Sequence, residues 1–362
     1  MERLQAVEWQ ECFVEPRRDP QLEREMRKAI GFSSPATRYF SSSPWIVRSM
    51  IGFHRAGLRA VYSSTQLVEL IHLVISQDNS CRFCYAAART AMRLLGVPDE
   101  RVEQLQYDLA AADLSGPDKA ALEFCRRVSR ADPLAGSDDW RVLRAAGLED
   151  GAVKEVAFTA AISVYFNRLM TLPAVPVERI ERISTSWLFR LMLPIAGLIT
   201  RSRMRRGQLE QAIPGRGPYA YLVSALGRLP AARALQAVIE DVWGETVLPR
   251  RTKALVFAVV ARGLGCPVAE DEARRLLADE DLGSEDVSEI LGRLASPRLD
   301  SIEAVVVPFA RETIRYDPAQ IQRRGRDLFE QLGNERFVDL VGVAAFANAV
   351  CRMSVIIDPP DA

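Results

Sequence analysis

Residues 67–94 read LVELIHLVISQDNSCRFCYAAARTAMRL, and residues 252–279 read TKALVFAVVARGLGCPVAEDEARRLLAD. Laid on one another without gaps, the two segments put Cys81 on Cys266 and Arg89 on Arg274. At the same offset RADP at 130–133 falls on RYDP at 315–318. After a one-residue slip, Ala160-Ala161 falls on Ala344-Ala345 and Arg168 on Arg352. Agreement held over that distance reads as an internal repeat of one structural unit. The unit is helical: Leu67, Leu70, Ile71, Val74 and Ile75, then Ala87, Ala91, Leu94 and Leu95, recur at helical spacing, and no apolar/polar alternation persists. The expected fold class is all-α.

Helix punctuation agrees. Ser63-Ser64 can cap the helix that carries Glu69, Gly96 and Pro98 close the next one, and Ser115-Gly116-Pro117-Asp118 opens another. The stretch from Thr171 to Gly217, with Pro, Arg and Gly at its ends, separates the copies. The expected organisation is a first unit over residues 1–177, a linker helix and basic segment over 178–217, and a second unit over 218–362.

Composition narrows the function. The 362 residues are 48% hydrophobic and 26% charged, an ordinary globular balance, and 47 basic residues offset 47 acidic ones. A chain without basic excess is not expected to bind nucleic acid. Residues 1–20 carry Glu and Arg throughout and show no secretory signal pattern. Of six cysteines, Cys12, Cys125, Cys266 and Cys351 are scattered singly, which is not a secreted disulfide framework. A cytoplasmic location is expected. The most apolar stretch, residues 187–200, contains Arg190 and Pro194 and is too short to span a bilayer. With the arginines at 201, 203, 205 and 206 behind it, the segment 187–206 is expected to pack on protein or to touch a membrane surface.

The chemistry concentrates at Cys81-Arg82-Phe83-Cys84, between the polar run 76–80 and the helix-forming run 85–89. The pair is expected in the first turn of a helix. Unpaired N–H groups and the positive dipole end favour a thiolate there, and Arg82 adds charge of the same sign. A thiolate is the nucleophile that attacks a peroxide or a disulfide, and a thiol three residues away can resolve the product as a disulfide. A zinc site needs two further Cys or His ligands, yet the only histidines are His54 and His72 and no second CxxC exists. We expect no metal and no bound cofactor. Glu69, on the preceding apolar helix, can have a raised pKa and serve as proton acceptor. His72, one turn after it, and Tyr85 are further relay candidates whose alternative is core packing.

A Glu, a Cys twelve residues on, a CxxC opening a small-residue helix, and Asn167-Arg168 in TAAISVYFNRLM near the end of the unit together resemble the alkylhydroperoxidase D / carboxymuconolactone decarboxylase family. The resemblance covers residues 35–177 well and 219–358 weakly. It implies that Cys84 attacks peroxide, that Cys81 resolves it, that Glu69 acts as base, and that a partner dithiol, lipoyl or thioredoxin-like, recycles the pair. The family's relay histidine would stand at Ala88. In the second copy Ala254, Ala269 and Ala273 replace the Glu, the second Cys and the His, so Cys266 is expected to lack partner and base. The tandem chain then looks like the family's dimer made covalent, and it could itself form homo-oligomers. The expected activity is a thiol-dependent peroxidase or disulfide oxidoreductase acting on hydroperoxides. The alternatives are a non-catalytic ligand- or partner-binding protein on the same fold, or a cofactor-free decarboxylase-type enzyme.

Overall fold

A computed structural model describes residues 4, 6–98, 100–102, 104, 114–177, 191 and 206–357. Its elements are helices, with no strand among the described residues. The first half holds α1 (Pro20–Ile30), α2 (Thr37–Phe40), α3 (Pro44–Leu58), α4 (Thr65–Asp78), α5 (Arg82–Leu94), α6 (Gly116–Arg130), α7 (Ser137–Ala145) and α8 (Asp150–Thr171). The second holds α9 (Ala220–Leu226), α10 (Pro230–Gly244), α11 (Arg250–Leu264), α12 (Pro267–Ala278), α13 (Ser284–Arg293), α14 (Glu303–Glu312) and α15 (Pro318–Met353). The apolar stretch 187–206 lies outside the described residues except for Leu191, which is exposed, and residue 206.

The expected caps form. The Ser64 side chain accepts the Leu67 N–H at 3.1 Å and the Ser115 side chain accepts the Asp118 N–H at 3.2 Å, each satisfying a donor that the first helical turn leaves unpaired. The repeat seen in sequence recurs element by element: α3, α4, α5 and α6 find counterparts in α10, α11, α12 and α14 at the offset that puts Cys81 on Cys266. The one-residue slip also has a place. Residues 146–149 form a full turn between α7 and α8, with Gly147 at φ 97°. In the second half the equivalent bend is compressed into Gly333, at φ 74° and ψ 170° inside α15. Only glycine takes such angles without strain.

Counterpart helices pack on each other. α8 lies along α15, and α3 along α10, so the halves meet through helices that correspond to one another in the repeat. Gly342 permits the approach, because a Cβ there would stand 2.6 Å from both Trp45 and Ile46 of α3. Beside it the buried Asp339 carboxylate accepts Ser43 Oγ at 2.9 Å and Trp45 Nε1 at 2.6 Å.

Two buried arginines cross the seam in opposite directions. Arg168 on α8 donates Nε to the Thr313 carbonyl at 2.9 Å and Nη2 to the Ile314 carbonyl at 2.7 Å, just past the end of α14. Its counterpart Arg352 on α15 donates Nε to the Ser129 carbonyl at 3.2 Å, in the last turn of α6. A cation at a helix C-terminus meets the negative dipole end and carbonyls without an intrahelical partner. Burial lowers both guanidinium pKa values, and these hydrogen bonds repay part of the desolvation.

The N-terminal strap crosses to the second half as well. Gln10 N–H bonds Gln322 Oε1, Glu15 N–H bonds Asn334 Oδ1, Arg326 reaches the Glu11 carbonyl, and Phe13 packs against Phe329 and Phe337. α15 is long and apolar enough to cross a membrane, but 94% of its most apolar window is buried within the molecule. Apolarity there serves the core.

Candidate active site

Cys81 is the N-cap of α5 and Cys84 sits in its first turn, so the helix start presents both sulfurs together. Cys81 Sγ accepts the Cys84 N–H at 3.4 Å, doing with sulfur what Ser64 does with oxygen. Burial pushes the Cys81 thiol up, but hydrogen bonds from the Cys84 thiol and N–H, the Thr171 hydroxyl and the Phe83 N–H outweigh it and hold the pKa below the ordinary value. Cys84 moves the other way: burial, the proton it donates to Cys81 and the adjacent negative charge raise it well above, and the Asn167 amide offsets only part. Of the two thiols Cys81 is thus the first to lose its proton, and Cys84 holds its own more tightly. Cys81 is fully buried and Cys84 half-buried, so the more acidic and the more accessible sulfur belong to different residues.

Around the pair stand polar groups with no hydrogen-bond partner of full geometry among the described residues: Thr171 Oγ1, Tyr316 Oη and Asn167 Oδ1. Thr171 is near enough to Cys81 and to Tyr316 to bias both protons. Tyr316 comes from the second half, next to Arg315-Asp317-Pro318, and the Arg168 guanidinium lies over its ring at 5.4 Å. Sequence reasoning matched Arg130-Ala131-Asp132-Pro133 to this segment and passed over its tyrosine. The first copy's alanine at that position was the available signal.

Glu69 lies on α4, which packs against α5, and is half-buried. Burial raises its carboxyl to about 7, so it can hold or release a proton near neutrality. No hydrogen bond or ion pair ties it to another described residue, including either thiol. His72 is also half-buried but turned toward α8. Its Nδ1 lies 2.8 Å from Ser163 Oγ. Because Ser163 donates its proton to the Thr159 carbonyl, His72 must donate Nδ1–H and keep Nε2 as an acceptor. Burial, then the nearby His54, lower its pKa to about 3, so the ring is neutral. The link from α4 to the thiols runs instead through Ser76 Oγ, which accepts Asn167 Nδ2 at 3.2 Å while Asn167 also reaches Cys84. Tyr85 is buried among core residues. Ala88 is 4% exposed, so an imidazole at the family's relay position would have to displace core atoms.

On the outer side, a groove of about 400 Å³ opens against Arg82, the residue after Cys81, with Trp9, Cys12, Tyr39 and Pro176 among its lining. Among the described residues no group of three or more His, Cys, Asp or Glu is arranged to hold a metal ion.

One expectation needs correcting. Cys266, at the N-cap of α12, has a thiol neighbour, because Cys351 in the last turn of α15 stands close enough to hold its pKa below the ordinary value. The matching in sequence held the signal: with Arg352 on Arg168, Cys351 falls on Asn167, the residue that reaches Cys84.

Comparison of the chain with known protein families, with curated proteins and with solved structures finds no match.

Proposed function

We propose that the chain is a thiol-dependent oxidoreductase, built from two tandem alkylhydroperoxidase D-like units fused as a pseudo-dimer, that reduces hydroperoxides at Cys81–Cys84. The observation that carries this reading is a dithiol at a helix start whose thiols are pushed in opposite directions, Cys81 down and Cys84 up, with Cys84 half-exposed. A purely structural pair has no need of either feature, and Cys125, buried with no such partners, has its thiol pushed far up.

In the proposed cycle the Cys84 sulfur attacks the terminal peroxide oxygen as its proton passes to Cys81. The O–O bond breaks, and the leaving alkoxide takes a proton to become an alcohol. The Thr171 and Tyr316 hydroxyls beside the pair supply donors for the developing negative charge. Cys81 then attacks the Cys84 sulfenic acid, the S–S bond forms and water leaves. Glu69, with its pKa near 7, supplies or takes protons over this sequence through solvent. A dithiol reductant, lipoyl or thioredoxin-like, returns the disulfide to the starting state. Reducing conditions of the cytoplasm suit such a cycle.

The test uses the full chain with Cys266→Ser and Cys351→Ser, so that only the first pair reports. One equivalent of cumene hydroperoxide is expected to remove two thiols per chain and yield a Cys81–Cys84 disulfide on peptide mapping. Recovery of both cysteines free, or a rate no faster than an ordinary thiol at its usual pKa, overturns the reading.

A further inference from the structure

We propose that Cys266 and Cys351 form a second redox dithiol, which small hydroperoxides oxidise to a Cys266–Cys351 disulfide joining the start of α12 to the end of α15. The proposal stands on its own residues and does not depend on the chemistry at Cys81–Cys84.

Four observations converge there. Cys266 is the N-cap residue of α12, though its sulfur makes no capping hydrogen bond there, and Cys351 arrives beside it from the last turn of a different helix, close enough to shift its proton. The Ser354 hydroxyl, just beyond α15, donates to the Cys351 carbonyl at 2.7 Å and lies near Cys266. Two tyrosines close the site: Tyr219 Oη and Tyr221 Oη are buried, have no hydrogen-bond partner among the described residues, and lie within electrostatic reach of both sulfurs. Tyr219 is 0% exposed and sits at φ 60°, a left-handed conformation that costs a bulky residue energy and is retained where surroundings over-determine it. Its N–H is held by Glu272 Oε1 of α12 at 3.3 Å, the same helix that Cys266 caps.

The protonation pattern divides the labour. The Cys351 thiol, against burial and with help from Ser354 and the Ala269 N–H, lowers Cys266 to about 7. Burial and the neighbouring Cys266 raise Cys351 well above its ordinary value. Near neutral pH a large fraction of Cys266 is therefore thiolate beside a protonated thiol, the arrangement in which one sulfur attacks and the other resolves. Cys266 thiolate attacks a peroxide oxygen, the O–O bond breaks, and the leaving oxygen departs as water or an alcohol after taking a proton. That leaves Cys266 sulfenic acid. The Cys351 sulfur attacks it, its proton goes to the departing hydroxide, the S–S bond forms and water leaves. Two electrons pass from the dithiol to one peroxide. The unpartnered tyrosine hydroxyls are donors for the departing oxygen. Cys266 is 3% exposed and Cys351 0%, so the oxidant class is small: hydrogen peroxide rather than a bulky lipid or aryl hydroperoxide.

The experiment uses full-length Cys81→Ser/Cys84→Ser protein, and the wild type in parallel so that no conclusion rests on a variant's folding. After one equivalent of hydrogen peroxide per dithiol at pH 7, so one for the variant and two for the wild type, free thiols are alkylated in denaturant and peptides mapped. The expected result is a Cys266–Cys351 cross-link in both proteins, with Cys12 and Cys125 alkylated and Cys266 consumed at least about tenfold faster than Cys125. In Cys351→Ala protein, dimedone is expected to trap Cys266 sulfenic acid. The proposal is overturned if Cys266 and Cys351 are recovered as free thiols, if Cys266 pairs with another cysteine, or if Cys266 is over-oxidised in the wild type without bonding Cys351. A wild type that forms this cross-link but leaves Cys81 and Cys84 free would instead sink the Cys81–Cys84 reading and leave this one standing.

Discussion

The first-half and second-half thiol pairs start from the same place and complete themselves differently. Cys81 and Cys266 both cap a helix at equivalent points of the repeat, and both are held below the ordinary thiol pKa. In the first half the second sulfur comes from the same helical turn, and the long helix α8 contributes Asn167 as a polar neighbour. In the second half that turn offers only Ala269, and α15 supplies a thiol where α8 supplies an amide. The helix start determines which cysteine is acidified, whereas the partner thiol can come from any element packed against it. The first pair is local and half-exposed; the second is long-range and buried.

The sharpest test of the two-fold reading is the pair of seam arginines. Arg168→Ala leaves the Thr313 carbonyl without a partner and Ile314 with only the longer 3.4 Å bond from Arg352, and is expected to cost about 3 kcal/mol. Arg352→Ala loses a longer bond to Ser129, while Ile314 keeps Arg168, so its cost should be smaller by about 1 kcal/mol. Urea unfolding of the two variants measures the difference, and equal costs would show that the seam is more symmetric than its hydrogen bonds.

Next comes activity. Cys84→Ser is expected to lower cumene hydroperoxide turnover at least about a hundredfold, and Cys266→Ser to leave it within about twofold. Steady-state peroxide consumption decides between them; similar losses would mean that the two sites work as one.

Glu69 separates the halves again, since its counterpart is the buried Ala254. A carboxyl raised from 4.5 to about 7 by burial favours folding while protonated in both states, below the unfolded value, and loses that advantage as pH rises through 7. Glu69→Gln should therefore match the wild type near pH 4 and gain on the order of 2 kcal/mol by pH 8. Chemical denaturation at the two pH values tests it, and a pH-independent difference would place the carboxyl in water.

The smallest expected effect lies at the two bends. Gly333→Ala and Gly147→Ala should each cost about 1 kcal/mol, because both hold positive φ and a Cβ at either meets nothing within 4 Å. Thermal unfolding would register a shift of a few degrees; a much larger loss at Gly333 alone would mean that the compressed bend carries strain that the four-residue turn does not.

Much of this architecture is legible along the chain. The caps at Ser64 and Ser115, the helix start at Cys81 and the repeat all rest on local spacing, which backbone hydrogen bonding reads directly. The one-residue slip was visible too, as a shift in register, though its cause at Gly333 needed the bend itself. What stayed hidden is what arrives from across the fold. Tyr316 reaches the first thiol pair from the other half, and Cys351 reaches Cys266 from the far end of the second, neither marked by any local pattern. His72 reads as a relay candidate by spacing, yet the Ser163 hydroxyl on α8 decides its tautomer and burial decides its charge.

The strap that lays Gln10 on Gln322 and Glu15 on Asn334 also constrains the order of events during synthesis. Residues 10–15 have their binding surface on α15, more than 300 residues downstream. At ordinary ribosomal speeds Phe13 waits roughly 15–60 s without its docking site on α15. During that interval the nascent chain carries an undocked aromatic side chain, a ready target for chaperones, and translation of α15 withdraws it.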